Sequence, residues 1–476
     1  MASRIAPPIA PRAKPPANCQ QSEAPAHSRA VRGCNGLVLG GAYAISVRER
    51  TLLIAFVFLS TATMGFLQPF VPLYLQSAGL EKNQIGWVLG LGSGLGLLMQ
   101  PVWGRISDHL DSRRPFIALG AVGAGIAYLS YRQVSSPLMF LLVTALGVNG
   151  TMYLNGVGGV LVGRLVSRAQ GGAGYASYRV WGSVGYIVVT LSTGLLLNPQ
   201  GTRLDRTSLD RLFSIGPWMF FAIAVLAAFL PDPKRAIPSS GPREKAPLPE
   251  NLKWFLASYF LYVFALYGAS NFLSLYMKSV GGTPIWITAM FAGGVVCEVL
   301  VMRVSGSISD RYGRRPLLAL TYLLLPVRLA LYVIAASPPG VVAVQILHGL
   351  NFGVMGAIAI ALVNDLATDS TRGQAQARLA IIAGLASTVA PIAFGWISQV
   401  IGLKSMFLAA SLVAVGAFLV FLLKVNETHP AGKSMAERLG NPWFTWLDNP
   451  PQVRSFGALI GGAADPQHPT KKNDHE

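Results

Sequence analysis

Long apolar segments with almost no charged residues divide the chain, and they limit its fold more than any other feature. Several of them hold about 20 residues, the length that a helix needs to cross a hydrocarbon core of about 30 Å. Backbone groups in lipid must be paired within the protein, so apolar runs this long indicate helices rather than barrel strands. We predict about twelve spans, numbered 1 to 12 in chain order: 51–77, 84–104, 115–131, 138–165, 175–197, 214–230, 252–278, 285–306, 316–336, 340–364, 375–398 and 403–424.

The composition agrees with a protein that faces lipid over much of its surface. Only 12% of the 476 residues are charged, about half of what soluble domains carry, and the mean hydropathy is +0.48. The net charge of +18 would suit a nucleic-acid partner. However, the basic residues cluster in short stretches between and outside the apolar runs, which is typical of membrane topology. We therefore expect a lipid bilayer and no nucleic acid as partner.

No sequence pattern indicates an enzyme, a metal site or a cofactor. The three cysteines, Cys19, Cys34 and Cys297, have no paired spacing, so neither a disulfide framework nor a metal site is indicated. No paired nucleophile and base, metal-ligand cluster or phosphate-binding loop is recognisable either. The sequence therefore predicts a protein that is not an enzyme and that uses no metal or cofactor.

A short polar motif occurs twice between apolar segments. Gly306–Pro316 reads GSISDRYGRRP, and Gly104–Pro115 reads GRISDHLDSRRP. The aspartates of the two copies, Asp108 and Asp310, are 202 positions apart (310 − 108). The same offset aligns identical residues in three apolar segments, so the chain consists of two copies of one unit. The aligned pairs are Phe70 and Phe272, Leu73 and Leu275, Tyr74 and Tyr276, Ser77 and Ser279, Gly79 and Gly281, Gly147 and Gly349, Asn149 and Asn351, and Gly182 and Gly384.

The repeat predicts two six-helix halves between polar ends. Residues 1–48 are rich in Pro, Ala and Arg and are predicted to be disordered. A transit peptide is the alternative, since acids are scarce there, although the prolines break any amphipathic helix. The other predicted regions are a first half at 49–230, a Pro-rich cytoplasmic linker at 231–251, a second half at 252–425 and a cytoplasmic tail at 426–476.

The short loops predict the orientation of the chain in a plasma membrane or bacterial inner membrane. Lys and Arg are retained on the cytoplasmic side, and a cytoplasmic N-terminus places both motifs, the linker and the C-terminus there. One loop does not follow this rule. Its Arg203, Arg206 and Arg211 would lie outside, and their positive charge is partly offset by Asp205 and Asp210. The basic residues predicted inside are Arg105, Arg113, Arg114, Arg311, Arg314, Arg315, Lys234, Arg235, Arg243 and Lys245.

Two six-span halves, each with this motif between its second and third span, resemble the major facilitator superfamily over about residues 50–425. The second copy matches the signature loop of that superfamily closely. The first copy departs from it, with His109 where an arginine is usual and a one-residue insertion around Asp111. The resemblance implies an all-α membrane protein with about twelve transmembrane helices in two repeats. It also implies a transporter of small molecules, which we expect to be a monomer.

The two motifs are predicted to form cytoplasmic gates. A carboxylate at a helix end can cap the amides of a neighbouring helix and pair with arginine. Such a latch would break when one helix bundle rocks against the other. The alternative is that the motifs only anchor the topology through their positive charge. The predicted gate residues are Gly104, Asp108, Arg113, Arg114, Gly306, Asp310, Arg311, Gly313, Arg314 and Arg315.

A narrower resemblance concerns spans 5, 9 and 10. RVWGSVGY, from Arg179 to Tyr186, is similar to the Arg-x-x-Gly-x-x-Gly-aromatic stretch of lactose permease and its relatives. LHGLNFG, which begins at Leu347, resembles a stretch of nucleoside–proton and phenylpropionate–proton symporters. Arg328 lies 15 positions after Gly313 (328 − 313), where lactose permease places an arginine. The resemblance implies proton symport of a sugar, a nucleoside or an aromatic or other carboxylic acid.

Ionisable residues break the repeat in the second half. Subtracting 202 takes Glu298 to Gly96, Arg328 to Ile126 and His348 to Leu146. A charge at the centre of a spanning helix costs roughly 2.5–3.5 kcal/mol, so these groups need a partner or a water-filled cavity. Counted from the predicted span ends at about 1.5 Å per residue, they lie about 12, 18 and 24 Å above the cytoplasmic side. We therefore expect them to lie near one layer.

The predicted substrate and proton site consists of residues from both halves. Glu298 would carry the proton, with Arg328 as a switch and His348 as the group that orients the site. Arg179 and Tyr186 would bind the solute from the first half. Asn351 stands where lactose permease has a carboxylate three residues after its histidine, which weakens the case for a sugar. The predicted site residues are Glu298, Arg328, His348, Asn351, Arg179 and Tyr186.

Purely structural roles stay open for these residues, and other functions stay open for the protein. Arg328 could only neutralise Glu298, His348 and Tyr186 could only pack, and Arg179 could extend towards the membrane surface. A proton-driven efflux pump for lipophilic compounds would share the same scaffold. A non-transporting membrane receptor is the third alternative.

Overall fold

The structure is a computed structural model, and all of its regular elements in the described part of the chain are helical. It describes residues 46–109, 113–170, 172–197, 204–231, 248–368 and 370–429. The predicted tail at 1–48 and the cytoplasmic tail at 426–476 therefore lie almost wholly outside the described residues. The observed helices are Val47–Ser77 (span 1), Lys82–His109 (span 2), Arg114–Leu129 (span 3), Pro137–Gln170 (span 4), Gly172–Leu197 (span 5), Arg206–Ile215 with Trp218–Phe229 (span 6), Glu250–Asn271 with Leu273–Ser279 (span 7), Pro284–Tyr312 (span 8), Arg314–Ile334 (span 9), Pro338–Leu366 (span 10) and Arg372–Lys424 (spans 11 and 12).

These helices confirm the prediction of an all-α membrane protein with about twelve spans. Within the described residues, eight helical segments are long and apolar enough to cross a membrane. One of them, Arg372–Lys424, has 53 residues and would be about 80 Å long as a straight helix. Gly402 breaks it with a φ of 86°, a conformation that favours glycine. The segment therefore supplies two spans.

Equivalent residues of the two halves make equivalent hydrogen bonds. The Ser77 and Ser279 hydroxyls donate to the carbonyls of Tyr74 and Tyr276, both at 2.7 Å. Spans 1 and 7 each end shortly before a glycine with a positive φ, 93° at Gly79 and 88° at Gly281. The two halves thus share one scaffold in structure as well as in sequence.

The register of the repeat differs by one residue in spans 3 and 9. The Tyr74 hydroxyl donates to the carbonyl of Tyr131 at 3.3 Å, whereas the Tyr276 hydroxyl donates to that of Tyr332 at 2.5 Å. These partners are 201 positions apart (332 − 131), because the first motif contains the extra residue. At this offset the counterpart of Arg328 is Ala127, which is buried as Arg328 is. The sequence alignment with Ile126, whose side chain is 51% exposed, was wrong.

The second polar motif is mostly helical rather than a loop. Span 8 was predicted to end at residue 306, but the helix continues to Tyr312. Its last turns bury Ser305 and Ser309 against their own half, so this part of the motif is amphipathic. Gly313, with a φ of 101°, ends the helix, and span 9 begins at Arg314.

Two other predicted boundaries also differ. The basic loop before span 6, which was predicted to lie outside, contains the helix Arg206–Ile215. Arg206 and Arg211 are therefore helical residues. Arg206 pairs there with Asp210 at 3.1 Å and donates to Tyr74 at 2.8 Å. Span 7 begins at Glu250, inside the predicted linker at 231–251, of which residues 232–247 lie outside the described part.

The two halves meet along spans 2 and 11 and along spans 5 and 8. We call the end of the bundle that carries the two polar motifs the motif end, and the other end the far end. The hydrogen bonds that join described residues of one half to described residues of the other lie at the far end. Lys278 Nζ donates to Gln76 Oε1 at 3.0 Å, and Lys82 bonds to Gln399 and Ser398 of span 11 at 3.2 and 3.4 Å.

Glycines of span 2 allow the close approach to span 11. A Cβ atom added to Gly86 would lie 2.3 Å from the carbonyl oxygen of Pro391, and one added to Gly90 would lie 2.5 Å from that of Thr388. Both distances are shorter than any Cβ contact, and both atoms belong to the backbone, which cannot rotate away as a side chain can. Contact between the halves at the far end therefore requires small residues on this face of span 2.

Replacing Gly90 by Leu should separate the halves at the far end. Overpacking costs roughly 1–3 kcal/mol, and separation of spans 2 and 11 relieves it. Spin labels at Gln76 and Lys278 should then report a longer distance in the variant than in the parent protein.

Gly123→Leu is the matched control, because a Cβ atom there meets nothing within 4 Å. It should leave the distance between the labels unchanged. An unchanged distance in Gly90→Leu, or an equal increase in both variants, would contradict the role of the span 2 glycines.

Candidate functional site

Arg328 is a fully buried guanidinium that is surrounded by neutral hydrogen-bond acceptors. Its Nη2 donates to Gln345 Oε1 at 2.8 Å, and its Nη1 donates to Asn351 Oδ1 at 3.4 Å. Its Nε donates to the hydroxyl of Tyr332, one turn further along span 9, at 3.2 Å. Tyr332 in turn donates to Gln345. Because the guanidinium is fixed on all sides, its position is set by spans 9 and 10 together.

His348 connects Arg328 to Glu298. Nη2 of Arg328 lies 3.2 Å from His348 Nδ1, and an arginine can only donate, so Nδ1 accepts. The proton of the neutral imidazole is then on Nε2, which lies 3.7 Å from Glu298 Oε2. His348 also stacks on Phe352, with ring centroids 4.2 Å apart. The structure therefore brings Glu298, His348 and Arg328 into one chain of contacts.

A π-helical turn, Leu350–Val354, places Asn351 beside this chain of contacts. Asn351 is fully buried. Its Nδ2 donates to the carbonyl of Thr321 at 3.1 Å, its Oδ1 accepts from Arg328, and its backbone carbonyl accepts from the Tyr262 hydroxyl at 3.1 Å. With both ends of its amide used, Asn351 is a fixed neutral acceptor for Arg328. Single π-turns within helices are frequent at functional sites because they redirect side chains.

Glycines bring span 10 close enough to span 8 for His348 to reach Glu298. A Cβ atom added to Gly349 would lie 2.5 Å from the carbonyl carbon of Cys297. One added to Gly353 would lie 3.0 Å from the carbonyl oxygen of Glu298. The two helices therefore touch backbone to backbone next to the His348–Glu298 contact.

The ionisable residues lie closer to one layer than their predicted heights suggested. Glu298 is 14 residues from Tyr312 at the motif end (312 − 298), and Arg328 is 14 residues from Arg314 (328 − 314). Both are thus about 21 Å from that end. The predicted difference between them came from ending span 8 six residues too early. His348, 18 residues before Leu366 (366 − 348), lies about 27 Å from the same end.

The first half contributes Tyr186 near this cluster and Arg179 further towards the motif end. The Tyr186 hydroxyl donates to Gln68 Oε1 of span 1 at 3.3 Å. It also lies within the range of an electrostatic interaction with Glu298, as does Tyr267 of span 7. Arg179 is exposed and lines a cavity of about 250 Å³ between spans 1, 4 and 5. It does not contact the Glu298–His348–Arg328 cluster in the described residues.

The second gate motif is tied to its own half. Arg314 pairs with Asp310 at 2.5 Å and with Asp365, at the end of span 10, at 3.2 Å. Arg311 lies over the ring of Tyr312, 5.3 Å from its centroid. A Cβ atom added to Gly306 would meet nothing within 4 Å, so that face of span 8 is open.

Glu427, after span 12, caps the start of span 9. Its carboxylate accepts from the backbone N–H groups of Arg314 at 3.1 Å and Arg315 at 2.9 Å. It also accepts from the N–H groups of Thr428 and His429 at 2.8 and 2.9 Å. A carboxylate of the motif was predicted to cap a neighbouring helix, but Glu427 caps span 9 and Asp310 binds the side chain of Arg314 instead. The buried Arg315 donates to the carbonyl of Leu422 at 2.7 Å, which holds it to span 12.

The first gate motif is described only in part. Gly104 and Asp108 belong to the helix of span 2, but the surroundings of these two residues lie outside what the structure describes. Arg113 precedes span 3, and Arg114 donates to the carbonyl of Ala228 at 3.5 Å. The residues around the one-residue insertion, 110–112, also lie outside the described part.

Sequence comparison missed Gln345, Tyr332 and Glu427. A comparison at the offset of 201 would have found the first of these, because Gln345 then aligns with Thr144 (345 − 201). The Tyr131 hydroxyl is 2.6 Å from the Thr144 hydroxyl, just as Tyr332 binds Gln345. The side chain of Gln345 is longer than that of Thr144 and reaches the guanidinium of Arg328. The first half has no guanidinium at the equivalent position.

The described residues contain eight helical segments of membrane-crossing length in two repeated halves, with a buried ionisable cluster at mid-depth of the second half. This arrangement is typical of a multi-pass membrane transporter of the major facilitator type. The sequence model of the MFS_1-like family matches residues 51–409, which are 359 of the 476 residues (409 − 51 + 1). The chain belongs to this family. The prediction of a major facilitator protein from the two motifs is thereby confirmed.

Similar proteins cover nearly the whole membrane region. The chain is 24% identical to the maltose permease of Geobacillus stearothermophilus over 399 residues, 81% of this chain and 97% of the permease. It is 21% identical to the multidrug resistance efflux pump PmrA of Streptococcus pneumoniae over 405 residues, 78% of this chain and 96% of the pump. The crystal structure of nucleoside transporter NupG superposes with a TM-score of 0.65 at 16% identity, covering 79% of this chain and 98% of that one. All of these are transporters with different substrates.

Glu427→Ala should destabilise the protein. The change leaves the four N–H groups that donate to the carboxylate without their partner, and loss of a helix cap costs about 0.5–2 kcal/mol. We expect a lower midpoint of thermal unfolding in detergent.

Glu250→Ala is the control, because Glu250 is exposed at the start of span 7 and caps no other helix among the described residues. Its midpoint should stay near that of the parent protein. Equal midpoints for all three proteins would show that the Glu427 contacts add nothing to stability.

Proposed function

We propose that the protein is a proton-coupled secondary transporter that moves a small polar or aromatic solute across the membrane by alternating access. Glu298 carries the proton, and His348 and Arg328 link its protonation to the conformation of the two halves. The observation that carries this proposal is the contact chain from Arg328 Nη2 through the His348 imidazole to Glu298 Oε2, at 3.2 and 3.7 Å.

The tautomer of His348 determines that its single N–H group faces Glu298. Arg328 occupies Nδ1 as a donor, so the only imidazole proton points towards Glu298. The distance of 3.7 Å exceeds a hydrogen bond, so a water molecule or a small shift of the side chains completes the link. The Glu298 side chain is 23% exposed, compared with 12% for His348. Glu298 is therefore the member of the chain that solvent protons reach first.

Protonation of Glu298 changes the electrostatic balance around Arg328. The direct partners of the guanidinium are neutral, and Glu298, through His348, is the nearest described acid in its network. When a proton neutralises Glu298, the buried positive charge loses its compensation, which is costly at this depth. A conformation that gives Arg328 more solvent then becomes favourable. Proton binding and the movement of the halves are coupled in this way.

The position of the contacts between the halves supports alternating access. The described hydrogen bonds between them lie at the far end, so the structure corresponds to the state that is closed there. With a cytoplasmic N-terminus, the motif end is the cytoplasmic end. The helix ends around Asp310 and Arg314, now tied within the second half, would form the closing gate when the halves rock towards each other. Transport sites of such proteins lie near the midplane between the repeats.

The similar proteins support both directions of transport. The maltose permease and the nucleoside transporter NupG support a polar solute, whereas PmrA is named as an efflux pump. The hydrogen-bonded cluster around Arg328 favours a polar solute because polar groups inside a membrane protein mark polar pathways. Accumulation of a polar solute by cells that express the protein would support this proposal. Extrusion of lipophilic compounds would support the efflux pump.

Glu298→Gln should abolish accumulation driven by a pH gradient while preserving exchange of solute across the membrane. The amide keeps the size of the side chain but binds no proton. The measurement uses proteoliposomes and the solute found in a thermal-shift screen of sugars, nucleosides and aromatic acids. Uptake with a pH gradient should fall to the level without one, and exchange at equal concentrations should continue.

Glu250→Gln serves as the control, since this residue is exposed and far from the cluster. It should keep the response to the pH gradient. Accumulation by Glu298→Gln that still follows the gradient would remove Glu298 from the role of proton carrier.

A further inference from the structure

The cavity in the first half offers one positive charge and no acid. It lies between spans 1, 4 and 5 and has a volume of about 250 Å³. Its polar lining consists of Arg179 and the hydroxyls of Ser60, Thr61 and Ser183, and none of the described residues that line it is acidic. The rest of the lining is apolar or glycine, including Gly159 and Gly182. A guanidinium therefore dominates the electrostatics of the cavity.

Arg179 differs from Arg328 and Arg206 in having no side-chain partner among the described residues. Arg328 is bound by Gln345, and Arg206 is paired with Asp210. The guanidinium of Arg179 makes neither a hydrogen bond nor an ion pair with the described residues. Its planar set of N–H donors matches a carboxylate in two parallel hydrogen bonds. These donors are available to a bound solute.

The hydroxyls around Arg179 leave one further donor. Ser60 and Thr61 each donate to the carbonyl of Val57, at 3.2 and 3.0 Å. Ser183, one turn after Arg179 on the same face of span 5, has no such partner among the described residues. Arg179 and Ser183 thus both present hydrogen-bond donors to the cavity.

The charges of the two sites do not cancel. With His348 neutral, Arg179 and Arg328 contribute two positive charges and Glu298 one negative charge, which leaves +1 (2 − 1). An uncompensated charge within a membrane is unfavourable. While Glu298 is ionised, a monoanionic solute brings this sum to zero, whereas a neutral sugar or nucleoside leaves it unchanged.

We infer that Arg179 is a carboxylate subsite and that the transported solute is a small organic anion rather than a neutral sugar or nucleoside. This inference rests on the proposed transport function. Arg179 and Tyr186 are seven residues apart on one face of span 5, or about 10 Å along the helix. Tyr186 lies within electrostatic range of Glu298. A carboxylate held by Arg179 therefore lies about 10 Å along span 5 from Tyr186, which is on the side of the residue that carries the proton.

Paired ligands test the inference on the purified full chain. Each pair consists of a carboxylate and its neutral amide: acetate and acetamide, lactate and lactamide, benzoate and benzamide, and 3-phenylpropionate and 3-phenylpropanamide. The midpoint of thermal unfolding is followed as each ligand is titrated. At least one carboxylate should stabilise the protein and bind about tenfold or more tightly than its amide, because a charge-assisted pair is lost with the carboxylate.

Variants assign the effect to Arg179. Arg179→Gln should weaken binding of that carboxylate to the level of its amide, and Arg179→Lys should restore part of the difference. Arg303→Gln, which removes an exposed arginine of span 8, should bind as the parent protein does. These three proteins separate loss of the guanidinium from a general loss of positive charge.

Three results would overturn the inference: equal binding of acid and amide, full binding by Arg179→Gln, or no stabilisation by any carboxylate. The assay is done at equilibrium without a pH gradient, so Glu298→Gln should retain the preference for the carboxylate. Failure of proton coupling and failure of the anion subsite therefore give different results.

Discussion

A guanidinium buried at mid-depth of the membrane is the constraint on which the second half of this protein depends. Arg328 is satisfied by amide, hydroxyl and imidazole groups rather than by a carboxylate in direct contact. Such neutral acceptors satisfy its N–H groups but leave its charge in place. Glu298 balances that charge only through His348. The charge of Arg328 is therefore balanced through a second residue and not by direct contact with a carboxylate.

The two halves share one scaffold, but this site lies in the second half. The first half has Ala127 and Thr144 at the positions of Arg328 and Gln345, and the tyrosines beside them make equivalent contacts. In the second half, the residues at these positions form a polar network within an otherwise shared helical packing. The π-turn around Asn351 and the close approach of span 10 to span 8 at its glycines place His348 next to Glu298. The buried ionisable cluster of the described residues therefore belongs to one half of a repeated scaffold.

Much of the fold was predictable from the sequence because lipid imposes helices on long apolar runs. The duplicated motif was sufficient to identify the superfamily. The ends of the helices were less predictable, since Ser305 and Ser309 are polar but are buried within span 8. The partners of Arg328 were predicted only in part. Glu298, His348 and Asn351 stood out as charged or matching positions, whereas Gln345 stands out only at the offset of 201 and Tyr332 has an identical counterpart in Tyr131. Glu427 could not be predicted as a cap because it lies more than a hundred residues from Arg314.

The most direct test of the account is to observe the proton on Glu298. Infrared difference spectroscopy of the parent protein during a pH titration follows the band of protonated carboxylic acids. The account predicts a titrating carboxylic-acid band that is missing from Glu298→Gln and that shifts its titration when Arg328 is replaced by Met. An identical band in the parent protein and in Glu298→Gln would contradict it.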